Sequence, residues 1–205
     1  MDEKIEQTIK MLKKHSFAAE YAKDKDEARD MVMKMVPEEA TVGIPGSASV
    51  RAAGIADALK ERGNEVFDHW EEGLELAETM KIRKQQLTAD VLITSANALS
   101  MTGEIVNMDG VGNRVAPTIW GPSKVIFVVG KNKIAEDLEA AKDRIRNLAA
   151  PVRAKELSMK TPCVDTGECT DCNVPQRVCR VEVILHRKPS LTNIVVIVVD
   201  EQLGN

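Results

Sequence analysis

Hydrophobic residues along the chain fall into two alternating rhythms. Ile5, Ile9 and Leu12 recur at helical spacing among charged neighbours, and the stretch from Phe17 to Tyr21 reads as a short strand. Asp24 and Glu27 form a capping-box pattern. Ala28, Met31, Val32 and Met35 then mark an apolar helix face that Pro37 ends. That methionine stripe reads as core packing. Thr41–Ile44 is the next strand, followed through Pro45–Ser49 by a helix with Val50, Ile55, Ala58 and Leu59 apolar and Gly63 at its end. Glu65–Phe67 and Val91–Thr94 are further strands, with a helix from Leu74 to Leu87 between them. Strand starts near Phe17, Val42, Val66 and Val91 are about 25 residues apart, the length of a compact strand–helix unit. The regularity predicts a parallel sheet.

The second half continues this pattern with variations. A polar hairpin turning at Thr102-Gly103 precedes the apolar strand Val125–Val129. Ile134, Leu138, Ala141, Ile145 and Leu148 mark an amphipathic helix expected to end before Pro151, with a second short helix over Val152–Leu157. Val181–Leu185 and Ile194–Val199 close the chain; the turn Lys188-Pro189-Ser190 between them predicts antiparallel pairing at the end of the sheet. The expected fold is therefore α/β: an open, mainly parallel sheet with helices on both faces, a C-terminal Cys-rich loop and a β-hairpin. One domain covers residues 1–205, with residues 163–179 as a loop inside it.

Composition narrows the function classes. At 205 residues and 43% hydrophobic the chain can bury one good core. A net charge of −4 leaves no footprint for nucleic acid or an anionic membrane, and 3% aromatic content is too little for base stacking. The opening residues are amphipathic and charged rather than a secretory leader, and the longest apolar run, Ile194–Val199, is too short to span a bilayer. A cytoplasmic protein is expected, with neither membrane nor nucleic acid as a partner.

Two stretches carry candidate chemistry. Between the strands at Val91 and Val125 lie Asn97 and the run Asn107-Met108-Asp109-Gly110-Val111-Gly112-Asn113-Arg114. Glycines there let a backbone approach a ligand, and the polar groups supply hydrogen bonds, an acid and a fixed cation. Asp109 and Glu104 are the candidate general bases and Arg114 and Lys133 the candidate anion clamps, with Asn97, Asn107 and Asn113 as orienting groups. A structural reading stands beside this one: Asn113-Arg114 starts a helix and Arg114 pairs with Asp109 inside the protein. The second stretch, Gly43-Ile44-Pro45-Gly46-Ser47-Ala48-Ser49, joins a strand to a helix, where free backbone N–H groups and the Ser47 and Ser49 hydroxyls suit a phosphate or carboxylate. Ser47 can equally serve as the helix cap. Neither stretch is a dinucleotide or Walker fingerprint, so no nucleotide cofactor is expected.

All four cysteines fall in Cys163-x5-Cys169-x2-Cys172-x6-Cys179. In a reducing compartment this clustering favours metal ligation over disulfides. Four thiolates can hold zinc or a [4Fe–4S] cluster, and the spacing matches neither a double zinc knuckle nor the ferredoxin run. His15, His69 and His186 lack neighbours at metal-ligand spacing, and Trp70 and Trp120 read as packing residues.

The run NMDGVGNRVAPTIWGPSKVIFVVGKNKI, followed by DLEAAKDRIRNLAAP, resembles the LUD domain of LutC-like lactate-utilisation proteins, with the likeness running from about Thr8 to the C-terminus. It covers Asn97, Asp109, Gly110, Gly112, Asn113, Arg114, Gly121, Pro122, Gly130 and Lys133. That family is structurally similar to the superfamily of glucosamine-6-phosphate isomerase, ribose-5-phosphate isomerase and CoA transferases, which place a phosphate-binding loop where Gly46–Ser49 lies. Pro45 and Ser49-Val50 depart from the usual family pattern. The resemblance implies a part in oxidising lactate or a related 2-hydroxy acid, within a complex that includes iron–sulfur subunits. The alternatives are a stand-alone isomerase or transferase acting on a sugar phosphate or CoA thioester, and a metal-stabilised assembly subunit. A small carboxylate or phosphate is the expected ligand, and homo-oligomers are compatible with each reading.

Overall fold

The structure is a computed structural model and describes residues 2–205. Helix α1 (Glu3–Lys14), capped by the Asp2 carboxylate, turns Ile5, Ile9 and Leu12 into the core. Strand β1 (Ala18–Ala22) and helix α2 (Lys25–Met35) follow, the helix capped by Asp24. Next come β2 (Val42–Ile44), α3 (Ala48–Ala52), α4 (Ile55–Arg62), β3 (Val66–Asp68), α5 (Leu76–Gln86) and β4 (Val91–Thr94). The hairpin β5 (Ala98–Ser100) and β6 (Ile105–Asp109) leads through α6 (Ala116–Ile119) to β7 (Lys124–Gly130), a 3₁₀ turn at Lys131–Lys133 and β8 (Ile134–Ala135). The chain ends with α7 (Leu138–Arg144), α8 (Ala150–Glu156), α9 (Pro162–Thr166), β9 (Val181–Leu185) and β10 (Asn193–Val199).

Six strands form one parallel sheet in the order β1-β10-β7-β4-β2-β3. Its central strands are apolar at nearly every position because both faces are covered. Ile126, Val128, Ile197 and Val199 face α2, α3 and α4. Val125, Phe127, Val129, Val196 and Val198 face the opposite way, onto α1 and the inner residues Leu99, Ile105 and Leu185 of a second sheet. This second sheet has the order β8-β5-β6-β9, and its far side is covered by Ala141 of α7 and by Ile145 just after it. The expected single sheet with helices on both faces is therefore amended: on one side, much of the covering layer is a smaller sheet.

The expected C-terminal hairpin does not form. β9 pairs antiparallel with β6 in the small sheet, while β10 lies between β1 and β7 in the large one. Their side chains explain the separation. Every residue of β10 after Asn193 is buried, as a two-sided central strand requires, whereas β9 leaves Val181 and Glu182 exposed and suits an edge. Pro151 does not end the long C-terminal helix either. A π turn at Ile145–Ala149 joins α7 to α8, and Pro151 sits in the first turn of α8, where its missing N–H is not needed. Ile134 lies in β8 rather than in that helix, which starts after the Asp137 cap.

The parallel strands set where a ligand can go. The segments leaving the carboxyl ends of β2, β3, β4 and β7 converge at one end of the large sheet, the usual place for a site in an α/β fold. Among the described residues, no helix is long and apolar enough to cross a membrane.

The separation of β9 from β10 has a direct consequence for stability. Ile197→Ala, at the centre of the large sheet, should cost about 3 kcal/mol in urea unfolding, and Val181→Ala about 0.5 kcal/mol or less. Comparable losses at the two positions would instead point to a paired C-terminal hairpin.

Candidate functional site

A cleft of about 740 Å³ opens at the carboxyl end of the sheet. Pro45–Ala48 come from the β2–α3 turn, His69 and Trp70 from the segment after β3, and Ser95–Asn97 from the β4–β5 connection. Asp109–Val111, Asn113 and Arg114 come from the end of β6, and Lys133 from the turn after β7. The π turn contributes Ile145 and Ala149. The two stretches singled out in the sequence thus share one cavity.

Arg114 is built into the wall of this cavity. Its Nε pairs with Asp109 Oδ2 at 3.2 Å. Nη1 donates to Asn107 Oδ1 (2.7 Å) and Ser95 O (3.4 Å), and Nη2 to Asn97 Oδ1 (2.9 Å) and Met108 O (2.6 Å). All five N–H groups have acceptors inside the protein, leaving none for a ligand carboxylate. Asp109 is equally occupied: its Oδ1 accepts from Val111 N and Gly112 N, both at 2.8 Å, in the turn closing the strand. The pair therefore holds the mouth of the hairpin, Asn97 and Asn107 included. Neither residue has the free groups that base catalysis or anion clamping needs.

Glu104 lies outside the cleft. It sits at the turn end of the β5–β6 hairpin and accepts from Thr102 Oγ1 at 2.6 Å. Five residues of strand separate it from Asp109, about 17 Å. Burial raises its pKa, but hydrogen bonds from Thr102 and Ser100 outweigh that and leave it lowered, a poor setting for a base.

The Gly-Ser loop divides into parts. Gly46 takes φ +68°, and a Cβ there would come within 2.7 Å of the Trp70 indole, so only glycine fits. Ser47 lines the cleft and caps α3, accepting from Val50 N at 3.3 Å. α3 has only five residues, so its end offers little dipole. Gly43 packs against the Gln86 backbone, and Gly112 is also absent from the cleft lining, although Gly110 and Asn113 belong to it.

Ser49 is buried and works through a neighbour. Its Oγ donates to Leu203 O and accepts from Lys133 Nζ, both at 2.9 Å. Lys133 is only 4% exposed; its other contact is Ser95 Oγ at 3.4 Å, and no carboxylate pairs with it. Burial, reinforced by Arg144 and Arg114, lowers its pKa to about 7.

Three further cleft residues carry no local sequence signal. The Arg83 Nε is buried without an acceptor. His69 Nδ1 lies 3.0 Å from Gln86 Nε2, whose two hydrogens also have the Ile44 and Phe67 carbonyl oxygens at 3.0 Å. Burial and Arg83 lower the His69 pKa, so the ring is neutral at pH 7. Trp70, read from sequence as a packing residue, lines the cleft with Arg153 stacked 4.8 Å and Arg51 5.1 Å from the ring centroid. Trp120 is 68% exposed and is not a packing residue. The cleft lining holds six Lys or Arg side chains against the carboxylates Asp109 and Glu156, which pair with Arg114 and Arg153. Its free charge is positive.

The four cysteines are unbonded thiols lining a smaller cavity of about 190 Å³ next to the cleft. Cys163 lies in α9, and the other three are in irregular backbone before β9. Among the described residues, no three His, Cys, Asp or Glu side chains already converge closely enough to hold one metal ion.

The buried amine dictates how stability should respond to pH. An unfolded lysine titrates near pH 10.4, so between about 7 and 10 the unfolded chain holds a proton that the native chain has released. Stability from this group therefore rises with pH through that window, by about 5 kcal/mol at most, and is flat and lowest below it. Lys133→Met should flatten the rise and be more stable than the parent at pH 7, as read by urea unfolding between pH 6 and 9.5. Parallel pH curves for the two proteins would show that the amine is not desolvated.

No curated protein matches the chain. A crystal structure of a DUF162-family protein from Deinococcus radiodurans is similar over 96% of each chain, with a TM-score of 0.57 and 19% sequence identity, a likeness of fold. The model of the LUD domain matches residues 5–199, nearly the whole of the two-sheet body and its cleft, and the chain belongs to the LUD-domain family.

Proposed function

We propose that the cleft binds a small organic anion, a 2-hydroxy or 2-keto acid, and that the protein serves utilisation of lactate or a related acid. Lys133 carries the reading: a buried ammonium facing a cleft with only two serine hydroxyls as partners lacks the negative charge that would offset its desolvation. A ligand carboxylate supplies it. The unpartnered Arg83 Nε offers a further donor on the same cleft, which His69 also lines. Asp109 and Glu104, engaged in the hydrogen bonds described above, are not the groups that meet the anion. The family's association with lactate utilisation supports this substrate class. A cytoplasmic protein working with iron–sulfur partner subunits fits the same reading.

A second reading rests on size. At about 740 Å³ the cleft exceeds the needs of a three-carbon acid, and Arg153, Arg177 and Arg180 extend its basic lining. This room favours a phosphorylated sugar or a CoA thioester, the ligand classes of the isomerase and transferase superfamily to which the LUD family is structurally similar.

Calorimetric titration separates the two. Lactate, glycolate or pyruvate should bind, and Lys133→Met and Arg83→Met should each weaken binding about tenfold or more. Glu104→Gln should leave affinity unchanged. Because the bound anion favours the ammonium, affinity should fall as pH rises above 7, by up to about tenfold per unit. Binding of sugar phosphates or CoA alone would select the second reading, and no binding of either class would overturn both.

A further inference from the structure

We propose that Cys163, Cys169, Cys172 and Cys179 hold an iron–sulfur cluster of the [4Fe–4S] type in the cavity they line, against the wall of the cleft. The proposal is independent of which anion the cleft binds. Four thiols from a segment of seventeen residues surround one cavity of about 190 Å³. A single zinc ion would draw four sulfurs to about 3.8 Å from one another, since each Zn–S bond is about 2.3 Å, and would leave no such space. A cluster of four irons and four sulfides is bulky enough to occupy it and needs its thiolates spread around its corners.

The segment is also braced in the way an anionic cluster requires. Arg177 donates to Cys172 O and Cys179 O, both at 2.7 Å, and pairs with Asp171 at 2.8 Å. One guanidinium thus fixes two ligand-bearing turns and puts positive charge beside the thiolates, with Arg146 as a second cation on the cavity wall. Polar groups already reach two of the sulfurs: Asp171 N donates to Cys169 Sγ at 3.5 Å, and Thr161 Oγ1 lies 3.3 Å from Cys163 Sγ, placed to donate once that sulfur is a thiolate. Such contacts stabilise thiolates and tune a bound cluster.

The wall position has a consequence. Met108, Ile145, Val178 and Cys179 line both cavities, so the Cys179 corner of the cluster borders the cleft. When bound, the group supplies a one-electron carrier at that border.

The test uses the full chain purified without oxygen, or reconstituted with ferrous iron and sulfide. The expected product is brown, with about four irons and four acid-labile sulfides per chain and a visible band that dithionite bleaches. Reduction should give an electron paramagnetic resonance signal, which Cys172→Ser and Cys179→Ser should abolish or alter. If those variants fail to fold, as far-ultraviolet circular dichroism would reveal, the iron and sulfide content of the parent decides alone. One zinc per chain without sulfide, disulfides found by mass spectrometry, or four thiols still freely reactive after reconstitution would each overturn the proposal.

Discussion

The whole cleft hangs on one guanidinium. Arg114 reaches back from the loop after β6 and ties the carbonyl of Ser95, the amide oxygens of Asn97 and Asn107, the carbonyl of Met108 and the carboxylate of Asp109 into one unit. A buried arginine is costly unless every N–H finds an acceptor, and here each one does. The β4–β5 connection and the end of β6 therefore cannot move independently. The small sheet is thereby tied, beside the cleft, to the strand end of the large sheet whose face it covers.

With that cation fully satisfied, the imbalance falls on Lys133. The fold holds its amine with hydroxyls alone while Arg114 and Arg144 repel it. The C-terminal segment reinforces the arrangement: Leu203 accepts from Ser49, and Asn132 binds both Leu203 N and Gly204 O, locking the turn that carries the lysine. A protein selected only for stability would replace such a residue, because burying a lone charge works against folding. On the proposed function the missing partner is the bound anion.

How much of this was legible in the sequence depends on the kind of signal. The even spacing of strands near Phe17, Val42, Val66 and Val91 was enough for a parallel sheet, because each strand–helix unit repeats the same geometry. The Ser47 region leaves the carboxyl end of β2 in that sheet, and the Arg114 region leaves the end of β6 in the small sheet packed on it, and both line the one cleft. Partner choice was harder. The turn at Lys188-Pro189 is compatible with a hairpin, and only the burial difference between β9 and β10 sends them to different sheets. Asp109 and Glu104 looked interchangeable because they are neighbours in sequence, although a strand carries them to opposite ends. His69, Arg83 and Arg153 lie on separate elements with no shared spacing, so only the folded chain brings them to one cleft.

The solved relative shares this fold over nearly its whole length at 19% identity, and a scaffold so widely re-sequenced does not by itself dictate chemistry. What distinguishes members must reside in the side chains added to the carboxyl end and in segments laid against it. In this chain the stretch from Leu157 to Arg180 is a segment laid against that end. It carries little regular structure of its own, yet Val178 O would lie 2.9 Å from a Cβ added at Gly110, and Arg180 N bonds to Asp109 O at 2.9 Å. That contact needs glycine at position 110, beside the carboxylate that pairs with Arg114. The cysteine-bearing segment and the cleft floor are therefore joined through the same short turn. A change in how the thiols are bound would act on the cleft through that turn.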